Sequence, residues 1–262
     1  MKIFVLVKQV PDTNEVTIDP VTGTLIREGV PSILNPDDAN ALEEALALKD
    51  KHPGTTVDVV SMGPPQATYM LRECLAMGAD GAYLLSSRAF GGADTCATST
   101  TLAAGVKKMG DYDIIFAGRQ AIDGDTAQVG PQTAQRLGIP SVSYVQKVRE
   151  VKDKTVVVER ALEDGFEVVE VQKPCVLTAI KELNTPRYMT IKQIEDAYKA
   201  EITVWDEKAL NVDTKTVGLI ASPTQVMKSF TPPPKGAGEM LHGTIPEMAA
   251  TLVAKLTEKH VL

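Results

Sequence analysis

Four short apolar runs recur along the first half of the chain: Ile3–Val7, Val57–Met62, Gly81–Leu85 and Asp113–Ala117. They do not alternate polar with apolar, so each strand must be covered on both faces. A parallel sheet between two layers of helices does that. The intervening segments supply the helices. Asn35-Pro36-Asp37-Asp38 opens the first, with Asn35 at the capping position, Pro36 at the first helical position and two acids near the positive end of the dipole. Ala41, Leu42, Ala45, Leu46 and Leu48 give its apolar face. Gly63-Pro64-Pro65 breaks the second strand, and a second helix runs through Met70, Leu71, Leu75 and Met77 to Gly78. Asp94 or Thr95 caps a third helix that runs to about Met109, and Thr133–Leu137 continues a fourth that ends at Gly138. Strands alternating with helices imply right-handed crossovers and an α/β sheet of the nucleotide-binding type.

Beyond Pro140 the rhythm changes. Ser143–Arg149, Thr155–Leu162 and Phe166–Gln172 are separated by turn signals and read as an antiparallel β meander. Cys175–Ile180 reads as another buried strand, and Thr185–Ala200 as a loop plus a helix with polar faces. Residues 232–238, PPPKGAG, have linker composition. Ile245–Lys259 is an amphipathic helix with Met248, Leu252 and Leu256 on one face. The expected organisation is an α/β nucleotide-binding domain over 1–184, a connecting segment over 185–230, and a linker with a partner-binding arm over 231–262.

Composition excludes several functions. A formal net charge of −7 leaves nothing to replace the counterions around a nucleic acid. No apolar run approaches the roughly 20 residues of a membrane span, so no membrane insertion is expected. Three scattered cysteines without paired spacing fit a reducing cytoplasm, and Cys74 reads as packing. Histidine pairs, nucleophile elbows, Walker loops and the Gly-x-Gly-x-x-Gly fingerprint are all missing, so no catalytic residue is nominated and a cofactor would bring any chemistry. Asp123-x-Asp125 resembles a metal-binding pair, but two carboxylates alone bind weakly, and no metal site is expected.

Ligands of a parallel sheet bind outside the carboxyl ends of its strands. Three such ends carry permissive or polar residues: Leu6 with Lys8, Met62 with Gly63, and the loop Gly118-Arg119-Gln120-Ala121-Ile122-Asp123-Gly124-Asp125-Thr126-Ala127-Gln128-Val129. Gly118 and Gly124 allow close backbone approach and positive φ. Thr126–Val129 can aim free amides at a phosphate where a helix begins, with Pro131 tolerated only in its first turn. Asp123 and Asp125 can bond ribose hydroxyls, brace the loop or pair with Arg119, or Asp125 can simply cap the helix.

Several of these segments resemble the β subunit of electron transfer flavoproteins. The loop 118–125 is similar to that family's nucleotide loop, and residues 158–165 running on to 173–179 are similar to its signature segment. Val7–Asp12, Asn35–Asp37, Ser61–Gln66 and Asn184–Tyr188 match as well. The resemblance implies a Rossmann-like fold and a heterodimer with an α subunit that carries an FAD. It also implies a recognition loop near Pro186–Ile194 that anchors an acyl-CoA dehydrogenase, with Pro186, Arg187 and Tyr188 in it and Ile191 its apolar anchor. The C-terminal arm would embrace the α subunit. One branch of the family holds AMP as a structural ligand, and the resemblance implies Leu6, Asn35, Asp38, Met62 and Gly118–Val129 as the matching site positions here. The reading Gly124-Asp125-Thr126-Ala127-Gln128-Val129-Gly130-Pro131 resembles the electron-bifurcating branch instead, whose β subunit binds FAD. NADH would then give a hydride to that FAD, with one electron going to ferredoxin or flavodoxin and the other through the α-subunit FAD. The competing readings are an AMP-type docking subunit, a nucleotide-sensing module, and an ATP pyrophosphatase or amidoligase. The last would need a Ser-Gly-Gly-type loop where Lys8-Gln9-Val10-Pro11 stands.

Overall fold

The computed structural model describes residues 1–12, 31–227 and 236–262, so the Pro232–Lys235 part of the expected linker lies outside the described residues. Two compact units divide the chain, 1–227 and 228–262.

In the first unit, nine strands form one sheet among the described residues: β1 (Lys2–Leu6), β4 (Thr56–Met62), β5 (Gly81–Leu85), β6 (Ile114–Gly118), β7 (Ser141–Val151), β8 (Thr155–Leu162), β9 (Gly165–Gln172), β10 (Cys175–Ala179) and β11 (Thr203–Trp205). Their order is β11-β5-β4-β1-β6-β10-β7-β8-β9. All pairs from β11 to β7 are parallel, whereas β7-β8 and β8-β9 are antiparallel. The expected meander is therefore present, and it continues the main sheet through β7. A separate pair, β2 (Gln9–Pro11) with β3 (Ser32–Leu34), is antiparallel.

The central strands alternate between two cores, as strands buried on both faces must. Ile3, Val5, Val57, Val59, Ile114 and Phe116 pack with Leu42 and Leu46 of α1 (Pro36–Lys51) and Met70, Leu71 and Cys74 of α2 (Thr68–Met77). Phe4, Leu6, Val60, Ile115 and Ala117 pack on the opposite face with Leu102 and Val106 of α3 (Thr95–Met109) and Ala134 of α4 (Val129–Leu137). Asp94 caps α3, its carboxylate accepting from the Ala97 amide at 3.0 Å. Pro131 falls in the first turn of α4, where its missing N–H costs no helical bond. A fifth helix, α5 (Ile191–Lys199), packs on α2.

Chain order leaves β1 leftward, to β4 and then β5, and resumes on the other side of β1 with β6. The strand order reverses between β1 and β6, so the crevice lies at their carboxyl ends.

The second unit contains α6 (Ile245–Glu258). Thr244 and Glu247 form a reciprocal capping box at its start. Ile245, Leu252 and Val253 are exposed, and Met248 and Leu256 are half-buried.

Candidate functional site

Leu6 and Gly118 end the two strands that flank the reversal, and Met62 ends β4 beside them. The Gly63 amide donates to the Leu85 carbonyl at 3.1 Å, which extends the ladder past Met62. Helix α1 begins directly under this end of the sheet. Asp38 is buried, and its two carboxylate oxygens accept from the amides of Lys8 (2.8 Å) and Gly118 (2.9 Å). One side chain thus ties the ends of β1 and β6 together. Gly118 is required by that approach, because a Cβ there would lie 2.3 Å from Asp38 Oδ1 and 2.8 Å from the Asp37 backbone. Burial pushes the Asp38 carboxyl up to about 7, although the side chain of Asn35 and the Lys8 and Gly118 amides pull it down.

Asn35 is wholly buried and occupies the capping position of α1, but its side chain makes no capping bond. It reaches across the crevice instead. Its amide nitrogen donates to the Gln120 carbonyl at 2.8 Å, and its oxygen accepts from the Ile122 amide at 3.1 Å. The expected cap is thus a clamp on the loop, because a buried loop backbone needs partners more than an exposed first turn does.

The loop is braced within itself and to β1. Amides of Gly124 and Asp125 donate to the Ala121 carbonyl at 3.2 and 2.9 Å. Lys8 Nζ lies 2.7 Å from Asp123 Oδ1, and Gln120 donates to the Asp125 carboxylate. Both acids are therefore engaged within the protein and brace the loop, one of the roles open to them, while Arg119 faces Asp37. Nor does Asp125 cap α4, whose capping position is Gln128. The left-handed residues are Asp125 (φ 51°) and Ala127 (φ 53°). Gly124 does not adopt positive φ, and a Cβ there would meet nothing within 4 Å, so the expectation of positive φ at Gly118 and Gly124 is corrected. Left-handed backbone at two non-glycine residues costs about 1–3 kcal/mol each and persists where the surroundings impose it.

That cost has a visible result. Among the described residues, the amides of Thr126, Ala127 and Gln128 donate to no group, and neither does that of Val129, the first helical N–H. They cluster at the positive end of α4. Thr95 Oγ1 donates to Gln128 Oε1 at 2.7 Å, which fixes Gln128 against the start of α3. Thr95 carries no motif, and only the side-by-side packing of α3 and α4 reveals it. Arg119 completes the rim. Its Nε is 3.5 Å from Asp37 Oδ2, its guanidinium lies 5.7 Å from the Tyr144 ring centre, and both polar atoms are buried without a hydrogen bond among the described residues. Burial raises the Asp37 carboxyl against the pull of Arg119. A helix start with a run of amides that have no acceptor among the described residues suits a phosphorylated ligand.

Residues 22–210 match the electron transfer flavoprotein domain model. The chain belongs to the electron transfer flavoprotein family, as a β subunit. It is 64% identical, over the full length of both chains, to the caffeyl-CoA reductase–Etf complex subunit CarD of Acetobacterium woodii. It is 61% identical, again over the full length of both, to the electron transfer flavoprotein subunit beta of Clostridium acetobutylicum. Identity to the acryloyl-CoA reductase electron transfer subunit gamma of Anaerotignum propionicum is 50%, over all of both chains. A β subunit implies an α-subunit partner, and the family implies a flavin-related cofactor.

A second irregular region of this β subunit lies far along the chain from the crevice. Residues 184–187 run along α1. Asn184 exchanges hydrogen bonds with Asn40 (2.8 and 3.1 Å) and donates to Glu44 at 3.1 Å. Arg187 forks onto Glu43, with Nε to Oε2 and Nη2 to Oε1 both at 2.9 Å, and Nη2 also reaches Asp50 at 2.9 Å. Beside this clamp Pro186 is half-buried, whereas Tyr188 is 97% and Ile191 88% exposed. Ile194 and Tyr198 continue the apolar stripe along α5. Arg72 caps the other end of α5, donating to the Ala197 carbonyl at 2.7 Å. Among the described residues, no helix is long and apolar enough to cross a membrane.

Proposed function

We propose that this β subunit binds FAD in the crevice between β1 and β6 and serves an electron-bifurcating flavoprotein. The observation that carries the reading is the row of amides at Thr126–Val129, which have no hydrogen-bond acceptor among the described residues and follow left-handed Asp125 and Ala127. These amides would hold the pyrophosphate. Leu6, Lys8, Met62 and Gly63 would line the adenosine side, and Asp123, already paired with Lys8, would meet ribose hydroxyls without a net negative field. Asn35 and Asp38 would keep the loop at a fixed distance from β1. Arg119, whose Nε faces Asp37 at 3.5 Å, would turn the rest of its guanidinium toward an anionic group of the ligand. The loop's small residues Ala121, Gly124 and Ala127 would suit a ligand larger than the adenosine half. Bound FAD would supply hydride acceptance from NADH and one-electron delivery to ferredoxin or flavodoxin and, through the α-subunit FAD, to an acyl-CoA dehydrogenase.

Tyr188, Ile191 and the α5 stripe would dock that dehydrogenase, and the exposed apolar face of α6 would bind the α subunit. Two of the most similar relatives are named for CoA-ester reductases, which supports a CoA-ester oxidoreductase as partner. The test is NADH oxidation by the heterodimer with ferredoxin and an acyl-CoA dehydrogenase present together. Bifurcation requires ferredoxin reduction that stops when either the dehydrogenase or its CoA substrate is left out. Ferredoxin reduction that ignores both would defeat the reading.

A further inference from the structure

One buried acid of α1 holds the chain beside the exposed Tyr188 and Ile191. Glu43 lies in the middle of α1 with 9% exposure, and its carboxylate takes three groups of Arg187: the backbone amide at 3.0 Å, Nε at 2.9 Å and Nη2 at 2.9 Å. The guanidinium is spent on this fork and on Asp50, so it is committed to α1. Asn40 and Glu44 fix the chain three residues earlier through Asn184. Four residues after Arg187, α5 begins with Ile191, its start fixed by a Thr190–Gln193 capping box. The exposed Tyr188 and Ile191 therefore stand between two anchors, and the first of these depends on Glu43.

We propose that Glu43 is a positioning residue for partner docking: through Arg187 it sets the geometry in which Tyr188 and Ile191 meet the partner dehydrogenase. The proposal rests on the docking role assigned above. A bidentate, largely buried carboxylate–guanidinium pair is directional as well as strong. Its loss frees the loop backbone at the residue next to Tyr188. The fork is also distinct from the nucleotide crevice, whose α1 contacts are Asn35, Asp37 and Asp38.

The test uses the full heterodimer and a purified short-chain acyl-CoA dehydrogenase as probe, with steady-state electron transfer as readout. Ile191→Ala, Glu43→Ala, Glu43→Gln and the pair Glu43→Ala/Ile191→Ala are compared. Glu43→Gln keeps one acceptor oxygen and guards against a folding defect, and flavin per heterodimer is measured for each. The expected result is a KM for the dehydrogenase raised roughly tenfold by Glu43→Ala and less by Glu43→Gln, with kcat and flavin content unchanged. In the Ile191→Ala background, Glu43→Ala should add little, because both act on one contact. If Ile191→Ala raises KM but the Glu43 variants do not, or if their effects simply add, the proposal is overturned while the docking role stands. If Ile191→Ala leaves KM unchanged, the docking role fails and the proposal falls with it.

Discussion

The loop 118–129 and the segment 184–191 are both irregular, and α1 holds both, but by opposite means. The first turn of α1 grips the loop through its backbone: Asn35 takes Gln120 and Ile122, and Asp38 takes Gly118. The middle of the helix grips the segment mainly through side chains, Glu43 on Arg187 and Glu44 on Asn184. What remains unspent differs accordingly. Among the described residues, the loop keeps amides without acceptors, which suit an anion, and the segment keeps exposed apolar side chains, which suit a protein surface. Sixteen residues of α1 span about 24 Å, so one rigid element sets the place of both.

The contrast can be broken at its tightest point. Gly118→Ala would drive a Cβ into Asp38 and Asp37. Overpacking of this kind costs about 1–3 kcal/mol, and here backbone must move, so a loss of about 3 kcal/mol in denaturant unfolding is expected, with loss of bound nucleotide. A stable, fully loaded variant would show that the close approach is not needed. Asn35→Ala would leave the Gln120 carbonyl and the Ile122 amide without their partner, at about 1–3 kcal/mol, and speed ligand release without changing docking. Release kinetics equal to the parent's would separate Asn35 from the loop.

Asp38 sharpens the comparison through pH. Its carboxyl is pushed up to about 7 by burial, from 3.8, so the folded chain holds that proton more tightly than the unfolded one. Its contribution to stability therefore falls as pH rises from about 4 to about 7 and levels off above. Unfolding free energies across that window should show a slope that Asp38→Asn removes, and an unchanged slope would assign it elsewhere. The smallest effect is expected at Gly124→Ala, under about 0.5 kcal/mol, since φ is ordinary and a Cβ meets nothing there. A larger loss would restore the role that its residue type suggested.

The strands were legible where the sequence carries unbroken apolar runs. β1, β4, β5, β6 and β10 lie buried on both faces, and that demand is local enough to read from residue type. The meander was legible from its turns, but not its fusion to β10, which depends on a parallel pairing between residues 142 and 177. β11 escaped because three residues on a sheet edge carry no pattern. In the candidate site, the loop stood out by its glycines, yet the left-handed backbone fell on Asp125 and Ala127, where clamps rather than residue type impose it. Asn35 looked like a helix cap because nothing local shows its partners 85 and 87 residues away. Glu43 and Arg187 are 144 residues apart and were invisible as a pair. The one available hint was polar Asn40, Glu43 and Glu44 among the apolar positions of α1.

FAD in the crevice between β1 and β6 would leave a countable trace in the heterodimer. The direct measurement is a count of FAD and AMP released from the co-expressed heterodimer, by absorbance and mass spectrometry. Two FAD and no AMP per heterodimer is the predicted result. One FAD with one AMP would contradict it and leave this chain a structural and docking subunit.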